Sequence, residues 1–182
     1  MNKVVVSVIG KDRSGIVSEV TGILYRHHCS IEDSSMTILE GNFVMIMIVA
    51  LPNKTRLNLF QKKIKVLEKK SGLIISVQEL KQKPRIGPIL HKGRPFILSV
   101  LGSDKPGIVH RVTKVLAERR INITDLNTKV IGREGDRNAY AMVLELEVPQ
   151  LVKESVLAGE LKNLGKALKV DITLKPIESL TL

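Results

Sequence analysis

The sequence predicts an α+β protein that contains two ferredoxin-like βαββαβ units in tandem. Three observations support this fold class. Residues 8–17 are repeated at residues 100–109. Each copy alternates between strand-like and helix-like hydrophobic periods in the same order. A basic segment that contains Pro and Gly lies between the copies. The βαββαβ order specifies a four-stranded antiparallel sheet with two helices on one face.

The repeat extends well beyond its first ten residues. The copies correspond at an offset of 92 residues up to Asp33 and Asp125. Further along the offset becomes 97, which places Phe43 opposite Tyr140. The difference falls at residues 131–138, a polar segment where a longer hairpin loop disturbs no buried backbone.

In the first copy, β-branched residues predict an initial strand, and apolar residues at helical spacing then predict an amphipathic helix. The inward residues of that helix are Ile16, Val17, Val20, Ile23 and Leu24. A Glu-Gly-Asn turn predicts a hairpin, which a second helix and a last strand follow. The predicted segments are a strand at 3–9, a helix at 15–28, strands at 31–39 and 43–51, a helix through Leu57, Phe60, Ile64 and Leu67, and a strand at 73–80.

The second copy repeats this order. Its first helix presents Ile108, Val109, Val112, Val115 and Leu116 inward. The predicted segments are a strand at 95–102, a helix at 107–120, strands at 123–131 and 138–148, a helix at 151–165 and a strand at 169–176. We therefore predict domains at residues 1–80 and 95–178, joined by a basic Pro/Gly linker at residues 81–94.

The third strand of the first copy is apolar on both faces, because Val44, Ile46 and Ile48 alternate with Phe43 and two methionines. Such a strand is expected to be central and covered on both sides. The fold leaves one sheet face without helices. We therefore expect the two repeats to pack together, and we expect the chain to form a homodimer.

The net charge of +11 raises the possibility of nucleic-acid binding. The chain has no Trp, and most of its five aromatic residues lie in apolar runs, so it lacks the exposed rings of a single-strand platform. A generally basic, solvated surface is the simpler interpretation. Residues 1–80 carry +4, residues 95–182 carry +2, and the linker carries the remaining +5. Direct nucleic-acid binding is therefore not expected.

Several features predict that the protein is cytoplasmic and not inserted in a membrane. No apolar run approaches the roughly 20 residues that cross a bilayer. The N-terminal apolar run is too short for a signal peptide and lacks a cleavage site. A single cysteine, Cys29, cannot form an internal disulfide, which is compatible with a reducing compartment.

No catalytic residue, metal ligand or cofactor is predicted. The run from Arg26 to Cys29 contains two histidines, but adjacent helical residues point in different directions, and His and Arg favour a helix C-terminus. Arg13 lies in the first loop, where acylphosphatase-type chemistry requires an arginine, but the Gly-rich phosphate cradle is missing. His110, one turn into the second motif helix, is a possible ligand contact.

The repeated motif lies at the first strand-to-helix turn of each copy. It reads Gly-x-Asp-Arg/Lys-x-Gly-Ile-Val, and Ile-x-Asp follows at the second strand. This pattern resembles the ACT domain. Two such domains without a catalytic domain resemble the glycine cleavage system transcriptional repressor family. The resemblance implies amino-acid binding at Asp12, Arg13, Ser14, Gly15, Ile16, Asp104, Lys105, Pro106, Gly107, Ile108, Asn122 and Ile123.

The chemistry of the turn is compatible with such a ligand. Free N–H groups at a helix N-terminus favour a carboxylate, which a free amino acid offers. Asp12 and Asp104 are expected to cap the helices, and an ordinary cap without a ligand is the alternative interpretation. The second copy has Pro106 and Asn122 where the first has serines, so it matches the family pattern better.

The predicted function is a non-enzymatic, amino-acid-responsive regulator. Glycine is the first candidate ligand, and a DNA-binding regulator is the partner that the resemblance implies. A regulatory subunit that controls an amino-acid metabolic enzyme is the alternative, and direct nucleic-acid binding is a third.

Overall fold

Two four-stranded antiparallel sheets, each with two helices, make up the described part of the chain. The computed structural model describes residues 2–52, 57–80, 93–134 and 137–177. The chain divides into unit 1, residues 1–86, and unit 2, residues 87–182. The elements are β1 (Asn2–Lys11), α1 (Ile16–Arg26), β2 (Ser30–Leu39), β3 (Asn42–Leu51), α2 (Leu57–Ser71), β4 (Ile74–Glu79), β5 (Gly93–Ser103), α3 (Ile108–Glu118), β6 (Asn122–Glu134), β7 (Arg137–Pro149), α4 (Glu154–Leu168) and β8 (Val170–Pro176).

The predicted fold class is confirmed, because both units have the same topology. The strand order is β2-β3-β1-β4 in unit 1 and β6-β7-β5-β8 in unit 2. Both second strands shift register at the same repeat position, between Ile31 and Asp33 and between Ile123 and Asp125. The irregularity is thus a property of the repeated sequence.

Each unit has its own apolar core between the sheet and the helices. In unit 1, Val4, Val6 and Val8 of β1 face α1 and α2 and are fully buried. In unit 2, Phe96, Leu98 and Val100 of β5 take the same place. The period of two along these strands selects the core residues, since every second side chain faces the helices.

The first helix of each unit buries a narrower face than the sequence predicts. Ile16 and Val20 of α1 are buried, but Val17 is 40% exposed. At the same repeat position in α3, Val109 is 38% exposed. Because successive helical residues are about 100° apart, a residue that directly follows a core residue points to the side of the core.

Strand β3 is central in its sheet, as predicted, since it lies between β2 and β1. Its Phe43, Met45 and Met47 are buried against the helices. On the other face, Ile46 is 47% exposed. Within the described residues of unit 1, that outer face carries no helix, so the expected cover on it stays a prediction.

The start of β5 differs from the sequence-based segmentation. Most of the predicted linker, residues 81–92, lies outside the described residues, and its last two residues belong to β5. Gly93 pairs with Pro149 and Arg94 with Val148. The Arg94 guanidinium donates a hydrogen bond of 2.7 Å to the Val152 carbonyl, so this basic residue is part of unit 2.

Candidate functional site: two glycine turns at the start of the first helices

The repeated motif forms the same backbone turn in both units. Gly15 is the N-cap of α1, with φ 91° and ψ −9°, and Gly107 is the N-cap of α3, with φ 91° and ψ −1°. Positive φ values strain residues that have a Cβ atom, so the motif needs glycine at this position. The carbonyls of Gly15 and Gly107 accept the first helical hydrogen bonds, from the amides of Glu19 and Arg111.

The predicted capping role of the two motif aspartates is wrong. Neither helix has a side-chain cap among the described residues, because the glycine three positions later occupies the N-cap. The Asp12 backbone amide donates a hydrogen bond of 2.8 Å to the Gly41 carbonyl, and the Asp104 backbone amide donates one of 2.8 Å to the Asn138 carbonyl. The aspartates therefore fix the turn to the neighbouring hairpin. The first amides of each helix lack a side-chain acceptor and can meet an anion.

A cavity of about 570 Å³ lies at the first turn. Its lining combines four of the predicted site residues with side chains from α1, β2 and β3. It is lined by Asp12, Arg13, Gly15, Ile16, Val17, Ser18, Thr21, Met36 and Phe43. The exposure of Val17 follows from this position, because the residue faces the cavity rather than the core. Met36 and Phe43 make the sheet side of the cavity apolar.

Arg13, which lines this cavity, forms an ion pair with Glu19. The two guanidinium Nη atoms donate to the two carboxylate oxygens at 2.7 and 2.8 Å, a bidentate arrangement. The hydrogen bond from Arg13 lowers the pKa of Glu19, and Glu19 raises the pKa of Arg13 in return. The Glu19 carboxylate therefore occupies the Arg13 guanidinium in this structure.

The second turn carries different charges. Lys105 occupies the repeat position of Arg13, and its Nζ donates a hydrogen bond of 3.0 Å to the Leu168 carbonyl. Arg111 takes the place of Glu19, because the repeat offset is 92. The second turn therefore lacks the internal carboxylate that engages the first.

Tyr140 lies on the buried face of the sheet at the second turn. It is 8% exposed. Burial raises the pKa of its hydroxyl, a hydrogen-bonding interaction with the Thr128 side chain lowers this pKa, and the negative charge of Asp104 raises it.

Asn122 and Ile123 line a cavity of about 540 Å³ together with His110, Thr113, Lys114, Ala117 and Ile121. The Asn122 side-chain amide also donates a hydrogen bond of 3.3 Å to a carboxylate oxygen of Glu147. The start of β6 follows the C-terminal end of α3, so it lies away from the turn at the N-terminal end of that helix.

Part of the first cavity is formed by residues that the motif does not include. Met36, Thr21 and Phe43 line the first cavity although they lie outside the motif. The repeat alignment is the one sequence feature that draws attention to Phe43, because it pairs this residue with another aromatic residue, Tyr140. In the part of the chain that the structure describes, no group of three or more His, Cys, Asp or Glu could hold a metal ion. No described helix is long and apolar enough to span a membrane.

Two βαββαβ units, each with a glycine N-cap after its first strand, define a protein of tandem ferredoxin-like domains. The chain belongs to the ACT domain family, which matches residues 2–78 and again residues 96–158. It is 37% identical over 93 residues to a UPF0237 protein of Methanocaldococcus jannaschii, in a match that spans 50% of this chain and 99% of the relative.

Two further similarities extend over most of the chain. It is 24% identical to the glycine cleavage system transcriptional repressor of Escherichia coli strain K12, over 91% of this chain and 81% of the relative. A crystal structure of an unknown protein from Galdieria sulphuraria superposes with a TM-score of 0.79 at 30% identity and covers 97% of this chain and 99% of that chain. The tandem arrangement is therefore shared with solved and curated relatives.

Proposed function

We propose that this protein is an amino-acid-responsive regulator of the glycine-cleavage-repressor type, which acts through protein–protein contacts and catalyses no reaction. The observation that carries the proposal is the cavity at the first motif turn, which brings Asp12, Arg13, Gly15 and Ile16 together at the N-terminus of α1. The similarity to the Escherichia coli repressor supports the regulatory role.

The turn suits a small zwitterion. The amides at the N-terminus of α1 have no side-chain cap and offer donors for a carboxylate, which would share the Arg13 guanidinium with Glu19 or replace Glu19 there. Asp12 lies on the same cavity and offers a negative charge to an ammonium group. Glycine carries both groups without a side chain and is the first candidate ligand.

The expected affinity fits a metabolite sensor. Glycine has five non-hydrogen atoms, and a ceiling of roughly −1.5 kcal/mol per atom gives about −7.5 kcal/mol, which corresponds to a micromolar dissociation constant at best. A coupling of about 1–3 kcal/mol between the ligand and a partner surface is sufficient for regulation.

Titration calorimetry with each of the twenty amino acids, combined with melting curves, tests the ligand. We expect heat and a raised melting temperature with at least one small amino acid. Arg13→Met is expected to weaken binding at the first turn, and Lys11→Met, which removes a charge outside the cavity lining, is the matched control. If none of the twenty amino acids produces heat or a melting shift, the protein is not an amino-acid sensor.

A second candidate function is a standalone subunit that regulates an amino-acid metabolic enzyme. The match to the UPF0237 relative spans 99% of that protein, so a unit of this kind exists there without a catalytic domain, as a standalone regulatory subunit would. Affinity capture with and without the bound amino acid separates the two candidates. Ligand-dependent recovery of a DNA-binding regulator supports the first, and recovery of an enzyme supports the second.

Direct nucleic-acid binding makes a different prediction. If the lysines of α2 were a phosphate-binding surface, random DNA or RNA would bind with a steep dependence on salt. We expect no shift in a gel at low salt. A cytoplasmic homodimer is also part of the proposal, and light scattering of the purified chain measures its mass directly.

A further inference from the structure

The four edges of the two sheets differ in how they are protected from pairing with another strand. The edge strands are β2 and β4 in unit 1 and β6 and β8 in unit 2. An edge strand presents unpaired backbone N–H and C=O groups, which bulges or covering groups usually keep from binding another chain. Strands β2 and β6 contain register shifts, which interrupt a continuous ladder. Strands β4 and β8 pair with their neighbours without a shift.

Side chains of α2 cover the outer edge of β4. The Ile75 backbone amide donates a hydrogen bond of 2.9 Å to a carboxylate oxygen of Glu68. The Gln61 side-chain amide donates one of 3.3 Å to the Val77 carbonyl. The backbone groups of Ile75 and Val77 therefore point away from β1, where a further strand would bind them, and α2 binds them instead.

Strand β8 lacks these covering side chains. The repeat offset of 97 places Ala158 and Gly165 of α4 at the positions of Gln61 and Glu68. Neither residue has a side chain that can donate or accept a hydrogen bond. A Cβ atom on Gly165 would lie 2.8 Å from the Val170 carbonyl oxygen, so α4 lies too close to the strand for a longer side chain at this position.

The outward-pointing backbone groups of β8 belong to Ile172 and Leu174. These residues correspond to the two covered residues of β4, and the strand registers of the two units agree at both positions. At the end of the strand, the Ile177 amide donates to the Pro95 carbonyl, so the odd-numbered residues point toward β5 and the even-numbered residues point outward. Among the described residues, no side chain binds the outward groups of Ile172 and Leu174.

The side chains of β8 are complementary to a second copy of the same strand. Asp171, Thr173 and Lys175 are exposed on one face of the strand, because Ile172 and Leu174 pack against the core on the other. In a two-fold antiparallel pair centred on Thr173, Ile172 lies opposite Leu174 of the second copy. Each such pair exchanges two backbone hydrogen bonds, since both residues point outward.

The charges on β8 favour this pairing. A charged residue in an edge strand usually opposes association, but Asp171 and Lys175 lie at equal distances from Thr173. Asp171 of each copy therefore lies opposite Lys175 of the other. Opposite charges directly across an antiparallel pair stabilise it, and the two-fold symmetry forms this contact twice.

The lysines beside β8 are compatible with the same arrangement. Lys162, Lys166 and Lys169 line a cavity of about 330 Å³ next to the strand. Around the two-fold axis the two α4 helices run antiparallel, so Lys169 approaches Glu154 at the N-terminal end of the other helix. Lys162 lies near its own copy, but its side chain is exposed and solvent ions screen the repulsion.

We propose that the outer edge of β8 is the surface through which two copies of this chain associate, with the strands antiparallel about Thr173 and the two unit 2 sheets joined into one. The inference deepens the proposed function, because it names the contact surface of the homodimer. This surface differs from the bare sheet face on which the sequence-based expectation rested.

Sedimentation equilibrium of the full chain over a range of concentrations measures the association. We expect a dimer whose dissociation constant rises about tenfold in Lys175→Asp, because each Asp171 then faces a like charge. Exchange of both charges, Asp171→Lys with Lys175→Asp, should restore the natural dissociation constant, since opposite charges face each other again. Lys63→Asp makes the same change of charge at an exposed position of α2 and should leave the dissociation constant unchanged.

A cross-link at the centre of the pair gives a second readout. Facing Cα atoms in a non-hydrogen-bonded antiparallel pair are about 4.5 Å apart, within the range that a disulfide spans. Thr173→Cys in a Cys29→Ser chain should therefore form a covalent dimer with oxidised glutathione. Thr128→Cys in the same background lies on the opposite edge of the unit 2 sheet and should stay uncross-linked. Melting curves show that the variants are folded.

The outcomes separate the interface from the rest of the proposed function. A dimer that Lys175→Asp weakens, that the exchanged charges restore and that cross-links through position 173 supports the inference. A dimer that Lys175→Asp leaves unchanged, that the exchanged charges do not restore or that cross-links through position 128 overturns it. A monomer at every concentration overturns the inference together with the homodimer. The amino-acid response is unaffected by either result, because titration calorimetry measures it independently.

Discussion

Gly107 shows how one residue type determines the geometry of the turn. Its φ of 91° lies in the region that side chains with a Cβ atom avoid, yet a Cβ there would meet no atom within 4 Å. The requirement for glycine therefore comes from the backbone conformation at this residue and not from contacts with the rest of the fold.

Gly107→Ala is expected to lower the free energy of unfolding by about 1–2 kcal/mol, because alanine is strained at this φ. Gly159, inside α4, also has open space around it and serves as the control. Gly159→Ala should stabilise by about 0.5–1 kcal/mol, since alanine favours the helix. Urea unfolding measures both, and a neutral Gly107→Ala would contradict the backbone argument.

The Arg13–Glu19 pair gives a pH-dependent prediction. The pKa of Glu19 is lowered in the folded protein, so the pair stabilises the fold above the ordinary carboxylate range and loses this effect as the pH falls through the lowered pKa. Arg13→Met should return the pKa of Glu19 to its ordinary range in a carboxyl NMR titration. Added salt should produce part of the same rise in the natural protein, because both side chains are exposed to solvent. An unchanged Glu19 pKa in Arg13→Met would show that the pair does not form in solution.

Cys29 should react slowly with thiol reagents. Burial against the unit 1 core raises the pKa of its thiol, so less thiolate is present at pH 8 than in a free cysteine. Disulfide exchange with an aromatic disulfide, followed by absorbance, should speed up when urea unfolds the protein. A rate equal to that of free cysteine in native buffer would contradict this.

At the scale of elements, α3 has residues that pack in the core and residues that lie beside it. Leu116 is fully buried, whereas Val109 lies beside the core. Leu116→Ala should destabilise by about 2–5 kcal/mol, and Val109→Ala should cost well under about 1.5 kcal/mol, because only the first opens a cavity. Denaturant unfolding compares the two. Equal losses would mean that α3 buries the wider face that the sequence pattern predicts.

At the scale of the whole molecule, each unit has its own set of buried residues. We therefore expect Leu116→Ala to speed amide exchange chiefly within residues 93–177. Leu24→Ala, its counterpart in α1, should act chiefly on residues 2–80. Hydrogen-exchange mass spectrometry resolves the two regions. Equal acceleration of both regions by either variant would show one cooperative unit instead of two.

The sequence determined the architecture because the fold depends on repeated local patterns. Hydrophobic period, turn residues and the internal repeat were sufficient to predict eight strands, four helices and their order, since each pattern is read within one segment. The same patterns predicted five inward residues for α1, where four are buried, and a helix-capping role for Asp12 that the structure contradicts. These details depend on how the turn is built in three dimensions.

The tertiary structure alone decided which side chains meet. Phe43 and Met36 reach the first turn only because β3 and β2 lie beside β1 in the sheet, and Asn122 is separated from the second turn because β6 starts at the far end of α3. Local patterns fix the elements, and contacts between distant segments fix the site.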